Sequence, residues 1–369
     1  MKRISLIIVV LLVLSGCSVL NRNPDSESET PTIEQQVVKK VREEDYEMMY
    51  PYMSSPLRQV RSIGSREVES YEIGRRLLDV SKDHFSVNDY LVTEGQLIDE
   101  GRYFELLVFK SDDNPNGLMS KYSDGLDIDG VTLVNPIFVT DLFEFNFYKK
   151  NEDDQIDGVS IALVLKKYQL LDEKTGLMHE MSDDALFNVG QTMGLQLSAY
   201  LRSLENMSDV PIYIGLYVQS SDIDKLPGNY LPGYFIGGAY SKDTTMKFER
   251  SQESWLLLSN NEAQNKLPEV VSQFNQLKRK VEHFTADDSV GVVGKAFIVD
   301  NKLDTIRIDV NISSKTFLET YGLSQYISQE IDNLSEFGIP IKVNVSSFEK
   351  TRAIIVKYPN EKVILETFE

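Results

Sequence analysis

Apolar residues recur along the chain with two different periods. From Val37 to about Phe85 the spacing is helical, first at Val37, Val41 and Tyr46, then more clearly at Val68, Tyr71, Leu77, Leu78 and Val80; Pro51 and Pro56 break it between. A sharp turn at Asp112 to Gly117 ends this region. Beyond it the period falls to two, over Leu142 to Tyr148, Val159 to Leu165 and Ile306 to Ile312, which predicts strands.

The second half predicts an internal repeat. One copy runs strand Leu142 to Tyr148, turn Asn151 to Gly158, strand Val159 to Leu165, helix about Asp183 to Leu204, strand Val210 to Gln219. The other runs strand Val293 to Val299, turn at Asp300-Asn301, strand Ile306 to Ile312, helix about Thr316 to Leu334, strand Ile339 to Ser346. Apolar faces at three- and four-residue steps mark both helices: Leu186, Val189, Met193, Leu197, Leu201 and Leu204 in one, Phe317, Tyr321, Ile327, Ile331 and Leu334 in the other. Both last strands open alike, Val210-Pro211-Ile212 against Ile339-Pro340-Ile341, and a proline is tolerated where a ladder begins. Strands at Tyr234 to Tyr240 and near Trp255 to Leu258 and one helix over about Asn260 to Phe284 lie between. The fold class is α+β: a helical N-terminal region followed by two related β-hairpin–helix–strand units.

The first 36 residues fit neither period. Lys2 and Arg3 precede an apolar run from Ile4 to Leu14, too short for the roughly 20 residues of a comfortable membrane span, and Leu14-Ser15-Gly16-Cys17 follows. An aliphatic residue, two small ones and a cysteine resemble the bacterial lipobox. The small residues let extended backbone enter a peptidase cleft, and the thiol can accept a diacylglyceryl group. The expected partners are therefore a diacylglyceryl transferase and signal peptidase II during maturation, then a membrane held through a lipid on Cys17, facing outward. Asn21 to Gln36 has one clearly apolar residue, Ile33, and reads as a tether. The chain thus divides into a leader at 1–16, a tether at 17–36, a mainly helical region at 37–130, a first α+β repeat at 131–259, and a spacer helix with a second repeat at 260–369.

Composition narrows the chemistry. With 38 Lys+Arg against 57 Asp+Glu the formal charge is −19, which repels phosphate backbones, so no nucleic-acid partner is expected. One Cys and three scattered His supply neither a disulfide nor a Cys/His metal centre. No GxSxG, Walker loop, GxGxxG or HExxH occurs, and no cofactor, metal or catalytic residue is expected; the chain reads as a non-enzyme. Asp112, Asn114 and Asn116 with Gly117 match the opening of a calcium loop, but Ser123 stands where a bidentate Glu is needed, so an Asx turn fits better. Asp127 and Asp129 form one more acidic pair. Tyr213 and Tyr217 alternate on one strand, and Tyr230, Tyr234, Phe235 and Tyr240 follow. Exposed, a set such as Tyr217, Asn229, Tyr230 and Tyr234 would line a groove for peptide, glycan or an envelope partner; buried, these aromatics are core.

Several strings then occur together in order: Tyr90-Leu91-Val92-Thr93-Glu94-Gly95-Gln96, Asn114-Pro115-Asn116-Gly117-Leu118, Gly215-Leu216-Tyr217-Val218-Gln219 and Pro227-Gly228-Asn229-Tyr230. In this order they resemble the CamS family of sex pheromone lipoproteins from Gram-positive bacteria, over most of the chain after the leader. One departure is that Leu118 is followed by Met119-Ser120 where the family usually has Asn-Pro. The resemblance implies a lipid-anchored extracellular body whose activity is unknown. It also implies a leader that, once released and trimmed, yields a short apolar peptide inducing conjugative plasmid transfer. The matching stretch is Val10-Leu11-Leu12-Val13-Leu14-Ser15-Gly16.

Overall fold

A computed structural model describes residues 36–64, 67–150, 155–219, 230–284, 290–313, 315–332, 338–348 and 350–368. The leader, the lipobox with Cys17, nearly all of the tether, and Asn229 lie outside the described residues.

The elements before residue 251 are β1 (Gln36–Val38), β2 (Glu47–Tyr50), α1 (Arg58–Gly64), α2 (Glu67–Ser81), β3 (Tyr90–Glu94), α3 (Glu100–Leu107), β4 (Leu126–Ile128), β5 (Val131–Leu133), β6 (Val139–Lys149), β7 (Gly158–Leu165), β8 (Tyr168–Asp172), β9 (Leu177–Glu180), α4 (Asp183–Arg202), β10 (Ile212–Val218), β11 (Tyr234–Ser241) and β12 (Glu249–Arg250). Eight of these strands form one sheet in the order β1-β2-β3-β6-β7-β10-β11-β12, while β4-β5 and β8-β9 are separate ribbons. Every residue of β7 and β10 is buried, because helices cover both faces. Val159, Ile161, Leu163 and Leu165 of β7, with Ile212, Ile214, Leu216 and Val218 of β10, join the core beneath α4. Their alternates Ala162, Val164, Tyr213 and Tyr217 join Phe85, Phe143, Phe147 and Phe235 beneath α2. Ser182 caps α4 by accepting from the Ala185 N–H at 3.1 Å, so this helix starts where the sequence predicts.

The remaining elements are β13 (Glu253–Leu257), α5 (Asn261–Lys266), α6 (Pro268–Glu282), β14 (Val290–Val299), β15 (Lys302–Ile312), α7 (Phe317–Asp332), β16 (Ile341–Ser347), β17 (Lys350–Lys357) and β18 (Ile364–Thr367). Strands β13 to β18 form a six-stranded sheet in sequence order, with α6 and α7 on the face that carries the second core. The single helix predicted from Asn260 to Phe284 is two helices, because Leu267 ahead of Pro268 takes a non-helical conformation. In α7 the buried face is Leu323, Ile327 and Ile331, whereas Phe317 is 73% exposed. Thr316 and Glu319 close a reciprocal capping box there, with N–H to side-chain oxygen distances of 2.7 and 3.3 Å.

The two sheets share an order of pairings. Hairpin β6-β7 is antiparallel, β10 returns parallel to β7 after α4, and β11 pairs antiparallel with β10. Hairpin β14-β15, helix α7, parallel β16 and antiparallel β17 repeat that order. The prolines also act alike. The Pro211 carbonyl accepts from the Val159 N–H at 3.0 Å, and the Pro340 carbonyl from the Ile306 N–H at 3.1 Å. Each last pair has a register shift at the same offset, after Leu216 in one and after Val345 in the other.

The N-terminal region is more mixed than its apolar period predicts. Val37 lies in β1, Val41 is 94% exposed, and Tyr46 is buried off any helix with its hydroxyl donating to the Phe85 carbonyl at 2.5 Å. Among the described residues helix begins only at Arg58, and β1, β2 and β3 extend the first sheet. Helix α2 reaches both sheets. Beyond its contacts with the first, Arg76 pairs with the buried Glu253 and lies 4.8 Å over the Phe297 ring, while Glu72 receives both Arg307 amino groups at 3.1 Å.

Candidate functional site

A groove of about 560 Å³ opens over β6, between the chain at Tyr52 to Arg61 and helix α2. Its floor is Phe143 and Phe145. Leu78 and Gly74 line it from the helix, and Tyr52 and Tyr71 stand on its rims, 52% and 79% exposed. Exposed tyrosines above an apolar floor are characteristic of ligand and partner sites. The lining charges are Arg58, Arg61, Arg75, Glu94 and Glu144.

Most of these groups are engaged. The Arg61 guanidinium lies 4.0 Å over the Phe143 ring and donates to the Leu142 carbonyl at 2.6 Å. Arg75 is held by Glu72 at 2.7 Å and Asp79 at 2.8 Å. Glu94 accepts from the Tyr52 hydroxyl at 3.2 Å, and burial together with that carboxylate pushes the Tyr52 phenol up to about 12. Arg58 is exposed; its N–H donates to the Ser55 carbonyl at 3.1 Å, and its guanidinium has no ion pair or hydrogen bond among the described residues.

Strand β6 carries two carboxylates here, the buried Glu144 at the groove and the half-buried Asp141. Glu144 accepts from the backbone N–H groups of Gln96, Leu97 and Ile98 at 3.2, 3.0 and 2.9 Å and from the Asn146 amide at 2.6 Å. Burial pushes its carboxyl above the ordinary range, against the pull of those donors. Asp141 is raised by burial too; nearby Arg61, the Leu142 N–H at 2.7 Å and the Tyr103 hydroxyl at 3.1 Å oppose it. These donors make both carboxylates anchors of the surrounding loops.

The residues singled out by sequence are dispersed. Tyr217 is fully buried, edge-on to Phe235 at 5.2 Å, and so cannot line a groove. Tyr230 lies under the Lys295 ammonium at 5.6 Å, and the Tyr234 hydroxyl donates to Asp183 at 3.1 Å, so these two face different partners. The calcium-like string serves α3 instead: the Asn114 amide donates to the carbonyls of Glu105, Val108 and Phe109, and the Asn116 amide to the Glu105 carboxylate at 2.7 Å. Asp129 accepts from the N–H and hydroxyl of Ser182 at 2.7 and 2.8 Å, and Asp127 from the Thr132 hydroxyl at 2.5 Å, so the acidic pair is divided between two tasks. Among the described residues no group of three or more His, Cys, Asp or Glu is placed to hold a metal. His84, half-buried, stacks between Tyr213 and Tyr240 with both centroids at 4.6 Å, in a second cleft of about 540 Å³ between the sheets. Nothing in the spacing of apolar residues pointed to the groove over β6, because its two sides are far apart in sequence.

Residues 52–363 match the family model of the CamS sex pheromone cAM373 precursor. The chain belongs to the CamS family. Its fold is similar to that of a sex pheromone precursor from Lactobacillus salivarius subsp. salivarius, with a TM-score of 0.76 at 21% identity over 91% of this chain and 99% of that one. It is also similar to the C-terminal domain of the sex pheromone staph-cAM373 precursor from Staphylococcus aureus, with a TM-score of 0.65 at 21% identity over 82% and 96% of the two chains. A comparison with curated proteins gives no match.

The CamS strings have physical roles in this fold. Gly95 passes so close to Glu144 that a Cβ would collide with its side chain, which lets the next three N–H groups reach the carboxylate. Gly117 likewise leaves no room for a Cβ beside the Val108 carbonyl. Met119, next after Leu118, is buried in the first core and its carbonyl accepts from the Lys110 N–H at 2.7 Å.

Proposed function

We propose that this CamS protein is made as a lipoprotein precursor. Diacylglyceryl transfer to Cys17 and cleavage before it by signal peptidase II leave an acidic body anchored on the outer side of the membrane. Removal of Lys2 and Arg3 takes the formal charge from −19 to −21. The discarded leader supplies Val10 to Gly16, a diffusible apolar peptide that induces conjugative plasmid transfer. The observation that carries this reading is Leu14-Ser15-Gly16-Cys17 behind a basic, apolar leader, at the head of a chain whose family is a pheromone precursor. Mass spectrometry of the medium should detect the heptapeptide when the protein is made, and a recipient-induction assay with synthetic peptide should respond to it. Cys17→Ala should abolish acylation and move the protein out of the membrane-anchored fraction; lipid retained on that variant overturns the assignment.

The body is a binding module in this reading, with the groove over β6 as its site; the apolar floor between exposed tyrosines and arginines favours it. We also infer that the two hairpin–helix–strand units arose by duplication. The matched proline carbonyls and the register shifts at the same offset support that descent.

A further inference from the structure

Gly74 is the least expected residue of the groove. It sits at the middle of α2, where glycine destabilises a helix by about 1 kcal/mol relative to alanine. Packing does not require it. A Cβ built on Gly74 meets nothing nearer than the tip of the Phe145 ring at 3.7 Å, an ordinary contact, and its φ is not in the left-handed region. The missing side chain therefore only keeps the floor of the groove open. Arg58 is unexpected for a different reason. Its guanidinium lines the same groove with no partner among the described residues, in a chain with a surplus of 19 negative charges.

We propose that this groove binds the C-terminal end of a short apolar peptide, and that the peptide is the chain's own Val10 to Gly16. The proposal rests on the release described above. Arg58 takes the α-carboxylate that cleavage creates on Gly16. Aliphatic side chains fill the space over Phe143 and Phe145 that Gly74 leaves, against Leu78 and Tyr71. A peptide fits better than a fatty acid because Ser54, Ser55 and Ser70 line the groove with hydroxyls that can pair with peptide backbone, which an acyl chain would leave unpaired. A volume of about 560 Å³ is within the usual span for small-ligand sites and takes part of a heptapeptide, the rest lying across the rims. The anchored body thereby becomes a local store of the peptide cut from its own leader.

The test uses the protein extracted from membranes and held in nanodiscs, with labelled synthetic Val-Leu-Leu-Val-Leu-Ser-Gly and empty nanodiscs to subtract partition into lipid. Saturable binding is expected, with the C-terminally amidated peptide weaker by about fivefold, and Arg58→Ala removing the difference between acid and amide. Gly74→Ala should raise Tm yet weaken the acid peptide at least about fivefold, a divergence that a packing role does not produce. Equal binding of acid and amide, unchanged affinity in Gly74→Ala, a lowered Tm in that variant, or tighter binding of myristate than of peptide overturns the proposal. Because the peptide is supplied from outside, failure here leaves its release untouched, and its absence from culture medium leaves this binding measurement intact.

Discussion

Glu144 shows how much one side chain determines. It is buried, yet three consecutive backbone N–H groups and a side-chain amide converge on it; Leu97 and Ile98 depend on this carboxylate for their hydrogen bonds, and Gln96 shares its N–H between it and the Asn146 Oδ1 at 2.7 Å. Glu144→Ala leaves the Leu97 and Ile98 N–H groups without acceptors at about 1 kcal/mol or more each, while the Gln96 N–H keeps the Asn146 Oδ1 at 2.7 Å, and should cost roughly 2 kcal/mol in denaturant unfolding. Gly95→Ala acts on the same contact from the other side, driving a methyl group into Glu144, and should cost a comparable amount, about 2 kcal/mol. A loss under 0.5 kcal/mol in both would show that the loop finds other partners. The sequence displayed Glu94-Gly95-Gln96 as a family string but not its reason, since the acceptor lies about fifty positions away.

Legibility at the scale of elements follows the range of the interactions. Helix α4 and strand β15 are legible because local period and capping agree with burial, whereas β7 and β10, buried on both faces, are legible as short apolar runs rather than by alternation. The region from Val37 to Tyr46 has a helical apolar spacing but is not helix, because short edge strands take their structure from pairing and a three-residue strand has no period. Spacing alone puts Phe317 and Tyr321 on the apolar face of α7. They instead stack on each other at 5.8 Å, outside the second core. The groove was invisible for the same reason as Glu144: its walls are a helix, an irregular N-terminal stretch and a strand some seventy residues later. The string around Asn114 is the opposite case, where Asx-turn chemistry was legible and its service to α3 follows. Asn114→Ala removes an amide shared among three carbonyls at the end of that helix, and should lower stability by about 1 kcal/mol and speed amide exchange at Glu105 to Phe109.

For the whole molecule, the buried charges set a pH dependence. Asp141, Glu144 and Glu253 are pushed up, each chiefly by burial, so the folded state binds their protons more tightly than the unfolded chain does. Their contribution is fully present below the unfolded carboxylate range and is lost as pH rises through the raised folded values. Glu72 runs the other way: burial opposes its ionisation, but Arg75 and Arg307 outweigh it and hold the carboxyl low, so its contribution is present at neutral pH and fails in acid. Thermal unfolding should therefore show a maximum on the acid side of neutrality, with Tm falling as pH rises from it through the raised carboxylates and falling again in stronger acid as Glu72 is protonated. A Tm that climbs steadily to pH 8 would contradict this balance. The edge of the first sheet has a mechanical consequence. Strand β1 is held by three residue pairs to β2, and β2 by two to β3, so a pull through the residues before Gln36 loads these pairs one after another, as in a zipper. Under traction the rim yields first as a fuse, and the strands that carry both cores feel the load only after it has opened.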